Sequence, residues 1–98
     1  MSARKVYLVA YDVTNKKRLR QTHKKMRGYG DALQYSLFWC VLSDTERELM
    51  TTALTEIIDV QEDRIMIADL GPRDGKRVDG VRFLGKRLEE PEEGPVIF

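Results

Sequence analysis

An α+β fold with element order βαββαβ and an antiparallel sheet is predicted by three features of this 98-residue chain. Apolar β-forming runs recur at 4–12, 32–42 and 63–70. Two charged segments with helical apolar spacing separate them, and a helix-start signal stands ahead of each segment.

Residues 4–12, RKVYLVAYD, are rich in Val, Tyr and Leu, and their apolar run is too short for a helix, so they read as a buried central strand. Thr14 offers an N-cap for a helix over about 15–27 with an apolar stripe of Leu19, Thr22 and Met26 and with His23 at its edge. On that helix Lys16, Arg20 and Arg27 line one flank, Lys17 and Lys24 the outer face, and Arg18 and Lys25 the other flank. Gly28 and Gly30 stop it. The run ALQYSLFWCVL at 32–42 exceeds an ordinary strand of about 5–6 residues. A bend near Ser36 is therefore expected to divide it between two pairings. Ser43 and Glu46 form a capping box ahead of a helix over 44–58, with Leu49, Met50, Ala53 and Ile57 as its apolar face.

DRIMIADL at 63–70 is the next strand, and Gly71-Pro72 with the polar run RDGKRVDG marks a loop. Val81–Gly85 and Pro95–Phe98 are apolar pieces separated by LEEPEEG and are expected as short C-terminal strands. The final VIF is expected to pair with a sheet edge, its own or a partner's. The chain thus reads as one ferredoxin-like, split-βαβ domain over 1–98, with a core at about 4–70 and a linker with C-terminal dimerisation strands at about 71–98.

Composition narrows the function classes. No stretch of about 18 apolar residues is present, so no membrane span is expected. The single cysteine, Cys40, has no intramolecular disulfide partner, which suits a reducing cytoplasm. A domain of this size buries a modest share of its surface, so dimerisation would add core. The net charge of +1 conceals an asymmetry: residues 1–30 hold nine Lys and Arg against the lone acid Asp12, whereas 59–98 hold seven basic and ten acidic residues. A basic end on a nearly neutral chain suits an anionic partner docking on one face; a solvated helix face is the alternative.

Asp12 closes the first strand and opens a loop into a helix, a place where ligands of sheets with helical crossovers collect. Capping the following helix is its other possible role. One carboxylate is too few for Mg²⁺, which takes six oxygen ligands, but a two-fold dimer would supply a second Asp12. No phosphate-binding glycine loop, C-x-x-C or G-x-S-x-G pattern occurs. His23, the one histidine, reads as a packed or half-exposed helix residue, and Cys40 as an inert buried thiol. The aromatics Tyr7, Tyr11, Tyr29, Tyr35, Phe38 and Trp39 read mostly as core, and the strand signature of base-stacking RNA-recognition modules is absent.

The segments YLVAYDVTNKKRLRQTHKKMRGYG and ALQYSLFWC, at this spacing, resemble the CRISPR-associated Cas-two family, which works in spacer acquisition beside the Cas-one integrase. The matching motifs are Tyr11-Asp12-Val13, the helix arginines Arg18 and Arg20, and Gln34-Tyr35-Ser36-x-Phe38. EDRIMIADLGP and VRFLGKRLEEPEEGPVIF resemble the family's next strand and closing section, so the likeness spans nearly the whole chain. Where several members have an arginine before the Gln-Tyr-Ser run this chain has Ala32, and where many have an acid after the phenylalanine it has Trp39.

The resemblance implies a homodimer of ferredoxin-like protomers whose C-terminal strands complete the partner's sheet. It implies Asp12 as the catalytic and Mg²⁺-binding residue, facing its copy across the dimer axis. It assigns supporting roles to Tyr11, Arg18, Arg20, Ser36 and Phe38, and the basic helix adds Lys16, Lys17 and Arg27 as nucleic-acid contacts. The implied activity is Mg²⁺-dependent hydrolysis of single-stranded RNA or duplex DNA. The alternatives are a non-catalytic scaffold that binds duplex DNA between Cas-one integrase subunits, and a toxin-type mRNA interferase.

Overall fold

A computed structural model of the chain describes residues 3–72, 81, 82, 84 and 85. Strand β1 (Lys5–Asp12) lies between β3 (Leu37–Leu42) and β4 (Arg64–Pro72), and β2 (Gly30–Gln34) flanks β3, giving the antiparallel order β2-β3-β1-β4. Helices α1 (Lys16–Met26) and α2 (Asp44–Ile57) complete the βαββαβ sequence of elements, the ferredoxin-like order. The C-terminal strand expected at 95–98 lies outside the described residues, while Val81, Arg82, Leu84 and Gly85 are in no strand.

Alternation along β1 gives the sheet two faces. Tyr7, Val9 and Tyr11 point to the helices and join Phe38, Cys40, Leu42, Met26, Met50 and Leu54 in the core. Leu8 and Ala10 point the other way, with Trp39 and Ala68 opposite Leu8, and Leu37 and Met66 opposite Ala10. That second face has no helix on it among the described residues, and Met66 there is 57% exposed. Asp12 ends the same row, with Arg64 across from it.

Local chemistry sets the element ends. The cap of α1 is Asn15, whose side-chain oxygen accepts from Arg18 N at 2.9 Å, and not Thr14. Thr14 is drawn off instead by Asp63, which takes its backbone N–H at 3.0 Å. The run 32–42 is a hairpin whose turn is Tyr35-Ser36, close to the expected bend, with a register shift between Ala32 and Gln34. Ser43 and Glu46 form the expected capping box, and Glu46 also receives Arg4, tying the entry of β1 to the start of α2. The apolar face of α2 is rotated from the expected one: Met50 and Leu54 are buried, and Leu49 is 57% exposed. Gly71 and Pro72 continue β4 instead of starting a loop. Gly71 takes up a positive φ of 93° beside the register shift opposite Lys5–Tyr7, and an edge strand tolerates a proline without its N–H.

Two interior positions make the packing testable. Gly30 faces Cys40, and a Cβ there would collide with the Trp39 carbonyl and lie 2.5 Å from the Cys40 sulfur. Thr22 is fully buried and its hydroxyl has no hydrogen-bond partner among the described residues. Gly30→Ala should lower the unfolding free energy by about 1–3 kcal/mol. Thr22→Val keeps the shape and removes an unsatisfied hydroxyl, so it should raise that energy by about 1 kcal/mol. Urea denaturation followed by circular dichroism measures both.

Candidate metal and nucleic-acid site

Asp12 is exposed at the end of β1, on the sheet face away from the helices. Its cross-strand neighbour Arg64, also exposed, was not singled out from sequence, because only the register of β4 puts it there. No group of three or more His, Cys, Asp or Glu side chains that would hold a metal exists among the described residues. A single protomer therefore offers Mg²⁺ one exposed carboxylate, a hard oxygen donor of the right kind but short of a site.

Behind Asp12, the β1–α1 loop is fastened by a buried carboxylate. Asp63 accepts from Thr14 N at 3.0 Å, Thr14 Oγ1 at 3.3 Å and Asp59 N at 2.9 Å. Arg18 Nε donates to it at 2.8 Å and Arg18 Nη2 at 3.3 Å, with a further bond from Nη2 to Glu62 at 3.4 Å. These donors, the Arg18 guanidinium first, hold the Asp63 carboxyl well below the usual carboxylate range, and the same bond raises the arginine. Arg18, expected to support the site or touch nucleic acid, is thus occupied inside the fold, with its side chain 23% exposed. Asp63 escaped the sequence analysis because two of its partners, Thr14 and Arg18, lie 49 and 45 residues away.

The hydrogen bonds of Tyr11 are made within the fold as well. Tyr11 donates to the Tyr35 carbonyl at 2.8 Å, and His23 Nδ1 lies 3.0 Å from that carbonyl and 3.1 Å from the Tyr11 oxygen. With the phenol proton on the carbonyl, the network assigns a proton to Nδ1 and leaves Nε2 as the ring's other polar atom. Burial, reinforced by Tyr35, holds the Tyr11 phenol above its ordinary pKa. Phe38 is fully buried, stacked on Tyr11 at 6.1 Å and edge-on to His23 at 5.4 Å. Ser36 accepts from Tyr11 N at 3.1 Å, so the turn is pinned to the strand end that carries Asp12. Burial also pushes the Cys40 thiol up to about 12, which leaves it inert at neutral pH.

The remaining basic residues of α1 and its C-cap are on the surface. Lys16, Lys17, Arg20, Lys24, Lys25 and Arg27 are all exposed, and α1 contains no acid. Lys16, Arg20, His23 and Arg27 recur at helical spacing and form one stripe.

Residues 5–78 match the family described as "CRISPR associated protein Cas2". A relative from Rhodospirillum rubrum, "CRISPR-associated endoribonuclease Cas2 1", is 38% identical over 97 residues, covering 99% of this chain and 94% of its own. One from Geobacter sulfurreducens, "CRISPR-associated endoribonuclease Cas2", is 41% identical over 84 residues, covering 86% of this chain and 87% of its own. The crystal structure of Streptococcus pyogenes Cas2 at pH 6.5 superposes with a TM-score of 0.70 at 34% identity, over 82% of this chain and 99% of that one.

The Asp63 cluster predicts an acid limit on stability. A carboxylate whose folded pKa is depressed stabilises the fold above its unfolded value of about 4, and that contribution is lost as pH falls through the folded value. The thermal midpoint should therefore decline below about pH 4. Asp63→Asn should lower the midpoint at neutral pH and flatten this decline. Arg18→Ala should be strongly non-additive with it in a double-mutant cycle read by thermal melts.

Proposed function

The chain belongs to the CRISPR-associated Cas2 family, and we propose that it acts as a homodimeric, metal-dependent endonuclease with a nucleic-acid-binding helix surface. The observation that carries the proposal is the place of Asp12: an exposed carboxylate at the rim of an apolar sheet face that carries no helix among the described residues. A second copy packed on that face, related by a two-fold axis, would repeat Asp12 across the axis and bury Leu8, Trp39 and Met66. Two carboxylates, with water completing the shell, make a donor set that suits Mg²⁺. When bound there, the ion would supply charge neutralisation at the scissile phosphodiester.

The chain's own residues do the rest. Arg64, across from each Asp12, stands ready for a phosphate oxygen, for which a guanidinium is well shaped. Asp63 and Arg18 hold the loop that follows Asp12, so Arg18 acts through position. Lys16, Lys17, Arg20 and Arg27 carry the nucleic-acid backbone along α1 without reading bases.

A second reading has its own observation. The basic helix packs on the opposite face of the sheet from Asp12, so a duplex lying on α1 would not need the carboxylate. In that case the protein serves as a DNA-binding scaffold for the Cas-one integrase.

Asp12→Asn should abolish Mg²⁺-dependent cleavage of labelled RNA or DNA while leaving the melting curve and dimer mass unchanged; cleavage that persists would refute the catalytic assignment. Leu8→Glu should give a monomer by light scattering and lose cleavage with it. For duplex binding, log Kd against log salt should lose about 0.9 in slope for each phosphate contact removed by Arg20→Ala or Arg27→Ala. Unimpaired spacer acquisition by Asp12→Asn, together with a defect in the arginine variants, would select the scaffold reading.

A further inference from the structure

We propose that Tyr35 is a stacking platform for an unpaired nucleobase, which makes a single strand a ligand of the α1 surface. The inference rests on α1 being the nucleic-acid face and deepens that part of the proposed function.

Tyr35 was expected among the core aromatics, yet it is 54% exposed at the tip of the β2–β3 hairpin. One face of its ring lies on the His23 imidazole, with centroids 4.4 Å apart and planes 11° from parallel. His23 cannot turn freely, because its Nδ1 is held by the Tyr35 carbonyl and the Tyr11 hydroxyl while Phe38 meets its ring edge. The exposed tyrosine is therefore backed by a fixed ring and presents its other face to solvent, and His23 is the one ring stacked on it among the described residues. A side chain so held loses little conformational freedom on binding, which is what a preorganised recognition residue requires.

The surroundings fit a single strand. His23 sits in the basic stripe of α1, with Arg20 one turn before it and Arg27 one turn after, both exposed. Cations that follow a phosphate backbone on either side of an aromatic face are the general arrangement for binding unpaired bases. In a duplex the base faces are covered by their neighbours, so this platform adds nothing to duplex affinity. The bond from Tyr11 N to Ser36 O at 3.1 Å places the hairpin tip at the sheet end that carries Asp12.

The test measures binding in EDTA, where metal-dependent cleavage does not interfere, using a fluorescein-labelled oligonucleotide as a single strand and as a duplex. Tyr35→Leu should weaken single-strand binding by about 5- to 150-fold, the worth of one base stack. Tyr35→Phe should stay within twofold of the parent, and duplex affinity should be unchanged in both. Running the oligonucleotide as RNA and as DNA identifies the source of the base by which arm shows the loss. Irradiation of the unsubstituted protein with a 5-iodouridine oligonucleotide should place the crosslink on Tyr35, a readout that does not depend on how Tyr35→Leu folds. Equal losses on single strand and duplex, single-strand affinity unaffected by Tyr35→Leu, or crosslinks only at other residues would overturn the inference. A Tyr35 effect in a protein that never cleaves would leave it standing and remove only the nuclease reading.

Discussion

The buried Asp63 carboxylate is the point at which the end of the fold that carries Asp12 is held together. It lies at the start of β4, yet its partners are the β1–α1 loop, the first turns of α1 and the segment after α2. Residues 45 and 49 positions away in sequence thus meet a local amide on one side chain. A buried charge with one partner removed is costly, because the other charge is left without water or counter-ion. Arg18, Thr14 and the Asp59 amide together satisfy Asp63, and in doing so they fix where β1 ends. The position of Asp12 follows from that, since it is the last residue of β1.

The two faces of the sheet divide the chemistry. On the helix side, aromatic and aliphatic side chains from β1 and β3 meet Met26, Met50 and Leu54 and are sealed from water. On the other side, an apolar surface of similar character has no helix on it among the described residues and ends in a carboxylate paired in register with an arginine. An apolar sheet face of this kind on a small domain is typical of an association surface. The basic surface belongs to the helix layer, so the exposed cations of α1 and the Asp12 carboxylate lie on different sides of the sheet. The hairpin tip at Tyr35-Ser36 stands at the same end of the sheet as Asp12, because its backbone is bonded to β1 beside that residue.

Local signals were the legible part. The Ser43–Glu46 capping box, the uninterrupted β1 run and the length of 32–42 each involve neighbours in sequence, and each appears in the structure as the corresponding helix start, central strand and hairpin. Where the expectation missed, a distant partner decided. Thr14 has the right chemistry to cap α1, but Asp63 competes for it and Asn15 takes the role. Leu49 fits the apolar spacing of α2, but the helix is rotated so that Met50 and Leu54 face the sheet. Gly71-Pro72 has the composition of a turn, yet an available edge on β1 extends β4 through it.

By itself, the sequence determined the order of elements, the family and the place of Asp12 at a strand end, because these rest on patterns among near neighbours and on short motifs at set spacing. The tertiary structure decided which of the named residues face solvent. Arg18 and Phe38 are taken into the interior by partners 45 residues away and by the core, respectively, while Tyr35 is turned outward by the hairpin. Residue type alone does not distinguish an arginine that meets phosphate from one that meets a buried aspartate, since the guanidinium suits both anions. Only the folded chain brings Asp63 to Arg18 and leaves Arg20 and Arg27 in water.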